Sequence, residues 1–306
     1  MATTTFKKIS FNAMGSPCEI QAHLESDVDF GISFKTMQIE IERLEQKYSR
    51  FRQDSFLSRI NSDAAKGLST KLDEETISIL EHASACFQQS DELFDITAGA
   101  LNKIWDFKKN QVPTDSEIAK ALSLTGFEKL SWDNSSLRMP IGMELDLGGV
   151  VKEYAADTLA AKANQMGIKH GLINLGGDIA VIGCKPDGKP WPVGIRNPKK
   201  PDAAIATIKV FSGGVASSGD YQRYFSYRGK RYSHIISPKT GRPNSGLRAV
   251  SVAANLCTVA GSIATIAMLK EERKSLEWLN DTGLSYVVMD SRGELHQSKG
   301  PISELS

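Results

Sequence analysis

The sequence has few cysteines and no excess of charge of one sign. Its four cysteines, Cys18, Cys86, Cys184 and Cys257, are far apart, and none has the CxxC spacing of a zinc or redox site. We therefore expect buried, reduced thiols rather than a disulfide framework. The 37 basic and 36 acidic side chains leave a net charge of +1, so the basic bias of nucleic-acid-binding proteins is missing. We predict no nucleic-acid partner.

Long apolar runs are also missing. No stretch approaches the roughly 18 apolar residues of a membrane-spanning helix, so no membrane partner is predicted. The first residues, MATTTFKKISFNAMGS, contain neither the apolar run of a secretory signal nor a cysteine for lipid attachment. We therefore expect a cytoplasmic protein.

Hydrophobic periodicity indicates strands and helices in an irregular order. Residues 5–12 and 17–24 alternate like two strands, whereas the apolar spacing over 34–48 is typical of a long helix. A further helix is predicted over 150–166. Since strands and helices do not alternate regularly and no linker is visible, we predict one α+β domain over residues 1–306. Its mixed or antiparallel sheets would be flanked by helices, in one compact unit or in two lobes.

Three turns built from small residues each follow a hydrophobic segment. They lie within DLGGVVKEYAAD (146–157), NLGGD (174–178) and SSGD (217–220). Backbone N–H groups of a Gly-Gly turn can approach an anion closely, and a helix N-terminus adds partial positive charge. Lys152 lies in the first turn of such a helix, where it would either bind phosphate or be solvated. The three turns could therefore converge on one phosphate-bearing ligand.

Seven segments occur in a definite order: FDITAGALNKIWDF (94–107), DLGGVVKEYAAD (146–157), NLGGDIAVIG (174–183), WPVGIRNP (191–198), ASSGDYQRYF (216–225), YSHIISPKTGRP (232–243) and TVAGSIATIAML (258–269). This series resembles the FAD:protein FMN transferase family, also called ApbE, from about Met14 to Leu269. The resemblance implies a T-fold-like α+β unit that uses FAD as substrate and Mg²⁺ or another divalent cation as cofactor. It also implies an acceptor flavoprotein, whose threonine hydroxyl receives FMN through a phosphoester bond while AMP is released.

For FAD, the resemblance implies a set of apolar, aromatic and acidic residues with one lysine. These residues are Met14, Phe51, Leu93, Phe94, Asp95, Asp146, Lys152 and Ile235. Apolar side chains would cover the flat rings, while carboxylates would accept hydrogen bonds from adenine, ribose or the isoalloxazine edge. Phe51 could equally be a core residue, and Asp95 could cap the helix that begins near Thr97.

His234 is the only histidine that lies within one of these motifs, YSHIISPKTG. An imidazole titrates near neutral pH, so it suits the removal of a proton from a hydroxyl group. The resemblance implies that His234 activates the acceptor threonine. The alternative is a structural histidine at the end of a strand.

The metal site departs from the family pattern. The family usually has aspartate four residues before the metal-binding threonine, but here Gly261 precedes Thr265. It also usually has glycine after the phosphate-binding lysine, where this chain has Glu153. Because a hard divalent cation prefers carboxylate oxygen, we expect Glu153, the Gly149 carbonyl and the Thr265 hydroxyl as ligands. The alternative is that Glu153 is a solvated acid at a helix start.

Two other functions remain open from the sequence. Water could replace threonine, giving a metal-dependent FAD pyrophosphatase, or the missing aspartate could leave a non-catalytic flavin-binding protein. The chain contains no segment like the family's acceptor motif, D-G-A-T-G-A-T. We therefore expect it to act on a separate partner.

Overall fold

A computed structural model describes residues 4–26, 28–107, 109–197, 200–221, 223–298 and 302–304 of the chain. The helices of these residues are α1 (Phe30–Tyr48), α2 (Phe56–Ala65), α3 (Glu74–Gln89), α4 (Gly99–Ile104), α5 (Asp115–Ser123), α6 (Val151–Gln165), α7 (Cys257–Leu269) and α8 (Glu272–Asp281). The strands are β1 (Thr5–Ala13), β2 (Ser16–Leu24), β3 (Thr70–Lys71), β4 (Ser131–Trp132), β5 (Ser136–Arg138), β6 (His170–Leu175), β7 (Asp178–Gly183), β8 (Trp191–Asn197), β9 (Lys200–Val210), β10 (Gly213–Gly219), β11 (Tyr224–Tyr227), β12 (Lys230–Ser233), β13 (Ala249–Ala254), β14 (Ser285–Met289), β15 (Leu295–Gln297) and β16 (Ile302–Glu304).

The main sheet contains eight strands in the order β1-β2-β6-β7-β10-β13-β14-β15. Every neighbouring pair in it is antiparallel. The smaller sheets are the β11–β12 pair and two three-stranded sheets in the orders β16-β9-β8 and β3-β5-β4. The α+β prediction with antiparallel sheets is therefore observed, whereas the single domain over 1–306 stays a prediction.

Helices cover one face of the main sheet, and the β8–β9 pair covers the other. On the helical side, α6 packs against β6 and β7, α7 packs against β10 and β13, and α1 lies over α6. On the opposite side, an apolar cluster joins Trp191, Val193 and Ile208 to Ile179 and Val215 of the main sheet. A strand buried on both faces needs apolar residues at successive positions, which explains the DIAVIG sequence of β7.

Side-chain caps fix where several helices begin. Asp29 and Asp73 accept hydrogen bonds from backbone N–H groups in the first turns of α1 and α3. Thr114 and Glu117 form a reciprocal capping box at α5, as their spacing predicts. Such caps satisfy N–H groups that have no partner within the helix.

Asp157 on α6 caps a different helix, α7. Its carboxylate accepts from the backbone N–H groups of Cys257 and Thr258, each at 2.8 Å, and from the Thr258 hydroxyl at 2.6 Å. An acid at a helix N-terminus is stabilised by the helix dipole as well as by these bonds. The cap therefore sets the position of α7 along α6.

The predicted burial of the cysteines is observed at three of the four positions, and Cys184 is half-buried. All four thiols are free, and Cys18, Cys86 and Cys257 are buried. Among the helices of the described segments, none is both long enough and apolar enough to cross a bilayer.

Candidate functional site

The three turns predicted to converge lie at one edge of the main sheet. The register joins Cys18 to Leu175 and Leu175 to Asp178, so the β1–β2 and β6–β7 turns are neighbours. Gly176 donates its N–H to the Pro17 carbonyl oxygen at 3.1 Å. β10 also ends on this side, where a backbone group of Ser217 bonds to the Asp178 carboxylate. The second and third predicted turns are therefore neighbours, and the ion pair of Lys152 with Asp178 joins the start of α6, which follows the first turn, to them.

Gly176 is required by this crowded edge. Its φ of +67° lies in the left-handed region, and a Cβ there would stand 2.7 Å from Cβ of Ser16 and 3.5 Å from Nζ of Lys152. The glycine thus leaves room for the Ser16 side chain, while Lys152 lies at ordinary contact distance from the turn.

Lys152 is fixed by a buried carboxylate. Its Nζ lies 2.8 Å from Oδ2 of Asp178, whose side chain is only 5% exposed, while that of Lys152 is 28% exposed. Burial opposes the charged form of Lys152, but the Asp178 carboxylate outweighs it and raises the pKa of Lys152. The ammonium group therefore stays protonated at neutral pH, in the state that an anionic ligand needs.

Glu153 points into the protein rather than into solvent. The residue is 8% exposed, and its Oε2 is a buried atom with no hydrogen-bond partner among the described residues. Burial, to which the nearby Asp178 carboxylate adds, raises the pKa of Glu153 to about 8. The alternative of a solvated helix-start acid is wrong. A buried carboxylate oxygen without a partner is costly, so a ligand that supplies one would be stabilising.

Glu153 occupies the space of the missing side chain at Gly261. A Cβ on Gly261 would lie 2.5 Å from Cγ and 2.8 Å from Oε1 of Glu153. Thr265 follows Gly261 by four residues on α7, so both face the same side of that helix. The Glu153 side chain of α6 therefore lies where a side chain at position 261 of α7 would begin.

Gly149 and Phe94 meet at the start of α6. A Cβ on Gly149 would lie 3.9 Å from the Phe94 ring, which is itself buried. Phe94 is held by its N–H, which donates to Oγ of Ser90 at 2.8 Å, and Leu93 beside it is half-buried. These contacts bring two of the predicted segments together.

Asp146 organises the Gly-Gly turn. Its carboxylate accepts from the N–H of Gly148 at 2.9 Å, from Nδ2 of Asn102 at 2.8 Å and from Nη1 of Arg50 at 2.5 Å. The neighbouring Phe51 is 79% exposed, with its ring 4.9 Å from the guanidinium carbon of Arg50. The alternative of Phe51 as a core residue is wrong, and its ring is available to cover a flat ligand.

Asp95 is used within its own loop. Its carboxylate accepts from N–H and Oγ1 of Thr97 at 2.8 and 2.6 Å, and from the N–H of Phe127 at 3.2 Å. Burial raises its pKa despite these bonds. The alternative of Asp95 as a helix cap is wrong, because α4 begins at Gly99 after Ala98 and has no side-chain cap. Asp95 instead closes its own loop.

His234 follows β12 directly and is tied to Arg223. Its backbone N–H donates to the Arg223 carbonyl oxygen at 3.1 Å, and its Nδ1 lies 3.2 Å from the same oxygen. With Nδ1–H assigned as the donor, Nε2 carries the lone pair. Burial lowers the pKa of His234, which keeps the ring neutral as a proton acceptor must be. The next residue, Ile235, is buried.

A different group of potential metal ligands lies beyond β14. Asp290, Glu294 and His296 place one ligand atom each within 4.8 Å of one another. Arg292 already pairs with Asp290 at 3.5 Å and with Glu294 at 3.2 Å, and His296 lies 3.1 Å from Asp290. Because the Arg292 guanidinium group already pairs with both carboxylates, the group is better described as an ion-pair cluster.

The sequence analysis did not identify Arg50 and Asn102, and it included Asp178 only as the last residue of the NLGGD turn. Arg50 lies 96 residues from Asp146 and Asp178 lies 26 residues after Lys152, so local spacing carries no signal for either contact. The only hint was that Asp178 follows a Gly-Gly turn.

The sequence profile of the ApbE family matches residues 14–288, which is most of the chain. The chain belongs to the ApbE family. A FAD:protein FMN transferase of Vibrio cholerae is 32% identical over 256 residues, covering 79% of this chain and 75% of that protein. An Escherichia coli protein with the same name is 30% identical over 269 residues, covering 84% and 76%.

Solved structures of ApbE proteins share the fold. The ApbE protein of Thermotoga maritima superposes with a TM-score of 0.89 at 29% identity, over 96% of this chain and 97% of its own. The apo flavinyl transferase ApbE of Pseudomonas stutzeri gives a TM-score of 0.87 at 26% identity, over 97% and 95%. These matches confirm the predicted family, the α+β class and a transferase.

The fit between Glu153 and Gly261 can be tested by a double-mutant cycle. Alanine normally stabilises a helix by about 0.5–1 kcal/mol relative to glycine. Gly261→Ala should instead destabilise the protein by about 1–3 kcal/mol, because the new methyl group overlaps with Glu153. In a Glu153→Ala background the cost should largely disappear, and urea unfolding would measure this coupling.

Glu153→Gln is the matched control for that cycle. It keeps the length of the side chain, so the cost of Gly261→Ala should persist in this background. Equal costs in all three backgrounds would show that the two positions do not compete for space.

Proposed function

We propose that the protein transfers the FMN half of FAD to a threonine hydroxyl of an acceptor flavoprotein, with the help of a divalent cation and with release of AMP. One observation carries this proposal: two charged side chains lie together at the glycine-lined end of the sheet. Lys152 is oriented and kept protonated by Asp178, and Oε2 of Glu153 is buried without a hydrogen-bond partner among the described residues. The names of the relatives, FAD:protein FMN transferase, agree with it.

The reaction joins the threonine oxygen to the phosphorus of FMN and breaks the bond from that phosphorus to the bridging oxygen. AMP leaves with the bridging oxygen and its electron pair. Nε2 of His234 takes the hydroxyl proton as the new bond forms. Lys152 and the N–H group of Gly149 would stabilise negative charge on the pyrophosphate, while the N–H group of Gly148 is held by Asp146. Asp178 acts indirectly, by holding the ammonium group of Lys152 in place.

Glu153, the Gly149 carbonyl and the Thr265 hydroxyl would hold the cation. All three offer oxygen, which suits Mg²⁺, and Oε2 of Glu153 has no hydrogen-bond partner within the described segments. These residues therefore fit the group. When bound, a divalent cation neutralises charge on the pyrophosphate and on the departing AMP.

The flavin would lie along the same edge. We assign Phe51 to ring stacking, since it is exposed beside Arg50, and Asp146 to the turn that receives the phosphates. The remaining proposed contacts are those of the other residues predicted to bind FAD. They are Met14, Leu93, Phe94, Asp95, Ile235 and Lys152. Asp95 would contribute through the loop that it stabilises, because its carboxylate already accepts three hydrogen bonds.

The cytoplasmic location stays an expectation from the sequence.

The function is tested by incubating the protein with FAD and Mg²⁺, with and without a flavoprotein that presents a threonine-containing flavinylation motif. Fluorescent, protein-linked FMN with one AMP per linked flavin is the expected result. Free FMN formed equally with and without the acceptor would identify a pyrophosphatase instead. Unchanged FAD under both conditions would indicate a flavin-binding protein without this activity.

His234→Ala should reduce the rate of FMN transfer by about 10²- to 10⁴-fold, because the hydroxyl loses its proton acceptor. FAD affinity, measured by fluorescence quenching, should change little. The acidic limb of the parental pH profile should lie below the ordinary histidine pKa, since the pKa of His234 is lowered.

His23→Ala provides the matched control, because His23 lies on β2 toward the edge opposite Met14. It should keep the parental rate. A parental rate in His234→Ala would contradict the assignment of the base.

Glu153→Gln should weaken divalent-cation binding by about tenfold or more, because the amide offers no charge to the ion. Mn²⁺ binding to the FAD-loaded protein, followed by electron paramagnetic resonance, measures this directly, without reference to turnover. The combined change Glu153→Gly with Gly261→Asp should restore much of the affinity, because it moves the carboxylate to α7 and removes the overlap.

Glu74→Gln is the control for the loss of a helix-start carboxylate, since Glu74 lies exposed in the first turn of α3. If Glu153→Gln binds Mn²⁺ as tightly as Glu74→Gln does, Glu153 is not a ligand.

A further inference from the structure

Positive charge is concentrated in one short segment of an otherwise balanced chain. Residues 223–233, RYFSYRGKRYS, contain the basic side chains Arg223, Arg228, Lys230 and Arg231 and no acidic one. They comprise β11, β12 and the flanking Arg223, and we call this segment the basic hairpin. Nothing in the proposed chemistry at the phosphates uses these residues.

The inner side of the basic hairpin is anchored to the protein. Phe225 and Tyr232 are paired across the two strands, with their rings stacked at 5.3 Å. Both also contact Trp105, at 6.5 and 5.7 Å between ring centroids. This aromatic cluster fixes the base of the hairpin, so its outer residues are held in a defined position.

Beyond this aromatic cluster the hairpin exposes both rings and cations, with Tyr224 on the face opposite Phe225 and Tyr227 next to the turn. Tyr224 is 51% and Tyr227 is 41% exposed. The guanidinium carbons of Arg231 and Arg228 lie 3.9 and 5.2 Å from these two rings. Cation–π contact orients such side chains before any partner arrives, and tyrosine and arginine are enriched at interface hot spots.

Most of these cations have no charged partner of their own. Arg231 pairs with Asp220 at 3.2 Å. In the part of the chain that the structure describes, Arg223, Arg228 and Lys230 form no ion pair, although all three are exposed. A cavity of about 360 Å³ adjoins the hairpin, and Tyr224, Arg231 and Arg248 form part of its lining. Arg248 also pairs with Asp220, so one carboxylate faces two guanidinium groups and the region around the hairpin keeps an excess of positive charge.

The basic hairpin leads directly into His234. The histidine follows the last residue of β12, and both its N–H and its Nδ1 lie against the carbonyl oxygen of Arg223. Any polypeptide that places a hydroxyl group at Nε2 of His234 must therefore pass close to this segment. A small molecule such as water would have no need of it.

We propose that the basic hairpin is the docking surface for an acidic segment of the acceptor polypeptide, an inference that rests on the proposed transfer reaction. Complementary charge on exposed side chains mainly increases the rate of encounter and changes the chemical step little. The hairpin should therefore determine KM for the acceptor and its dependence on salt, while kcat and FAD binding are set elsewhere.

The test uses the double change Arg228→Asp with Lys230→Glu. Arg228 has a φ of +50°, and aspartate tolerates this left-handed conformation, so the turn should be retained. KM for the acceptor should rise about tenfold or more at low salt, and the difference should shrink as salt is added. The kcat at saturating acceptor, the FAD dissociation constant and Tm should stay at the parental values.

Lys169→Glu with Lys189→Glu is the matched control. It changes the net charge by the same amount, and both lysines are exposed at the end of the sheet opposite the β6–β7 turn. This variant should keep the parental KM within about twofold. A polyglutamate peptide should inhibit transfer by the parent and by this control, but not by the hairpin variant.

Each other outcome overturns a definite statement. An unchanged KM in the hairpin variant, or an equal rise in the control, would overturn the docking surface while leaving the transfer reaction in place. Binding of the hairpin to RNA or to phosphatidylserine vesicles, with KM for the acceptor unchanged, would assign it to another macromolecule. If the parental protein itself transfers no FMN, the proposed function fails, and the docking inference fails with it.

Discussion

The close contact between α6 and α7 is the constraint on which the candidate site depends. Asp157 binds the first N–H groups of α7, so the two helices have one relative position along their lengths. Small residues along α7, among them Gly261 and Ala264, allow the helices to approach closely. At that separation Glu153 reaches into α7, and its carboxylate takes the space above Gly261. The placement of the proposed metal ligands thus follows from a helix cap one turn away.

Charge in this site is arranged by burial as much as by pairing. Asp178 is buried against Lys152 and keeps it protonated, whereas Glu153 has burial without a hydrogen-bond partner for one oxygen. The ion pair of Lys152 with Asp178 forms within the protein alone, whereas Oε2 of Glu153 gains a partner only when a ligand binds. An anionic substrate would bind beside Lys152, and a cation would bind Oε2 of Glu153. Because their charges are opposite, each would reduce the electrostatic cost of bringing the other into the site.

Local pattern was sufficient for elements whose residues carry their own signal. The alternation in β1 and β2, the stripe of α1 and the capping spacing of α5 each appear in the structure near the predicted bounds. The Gly-Gly turns were also predicted, because glycine readily adopts the backbone conformations that tight turns require. The exposure of Phe51 could not be predicted, since an aromatic residue after a helix can face either way.

The contacts that were missed join distant parts of the chain. Arg50 reaches Asp146 across 96 residues of sequence. The β1–β2 turn reaches Gly176 because the sheet order places β2 beside β6. No spacing in the sequence encodes that order. The burial of Glu153 was missed for the same reason, since it depends on which helix lies across from α6.

The overlap between Glu153 and Gly261 has a consequence for how such a site can change over generations. Moving the carboxylate from one helix to the other takes two substitutions, and the order in which they occur matters. With aspartate introduced at position 261 first, two side chains compete for one space. With Glu153 replaced by glycine first, the site has no carboxylate at either position. Under the proposed metal role, each single substitution lowers either stability or cation binding, so exchanges between the two arrangements should be rare.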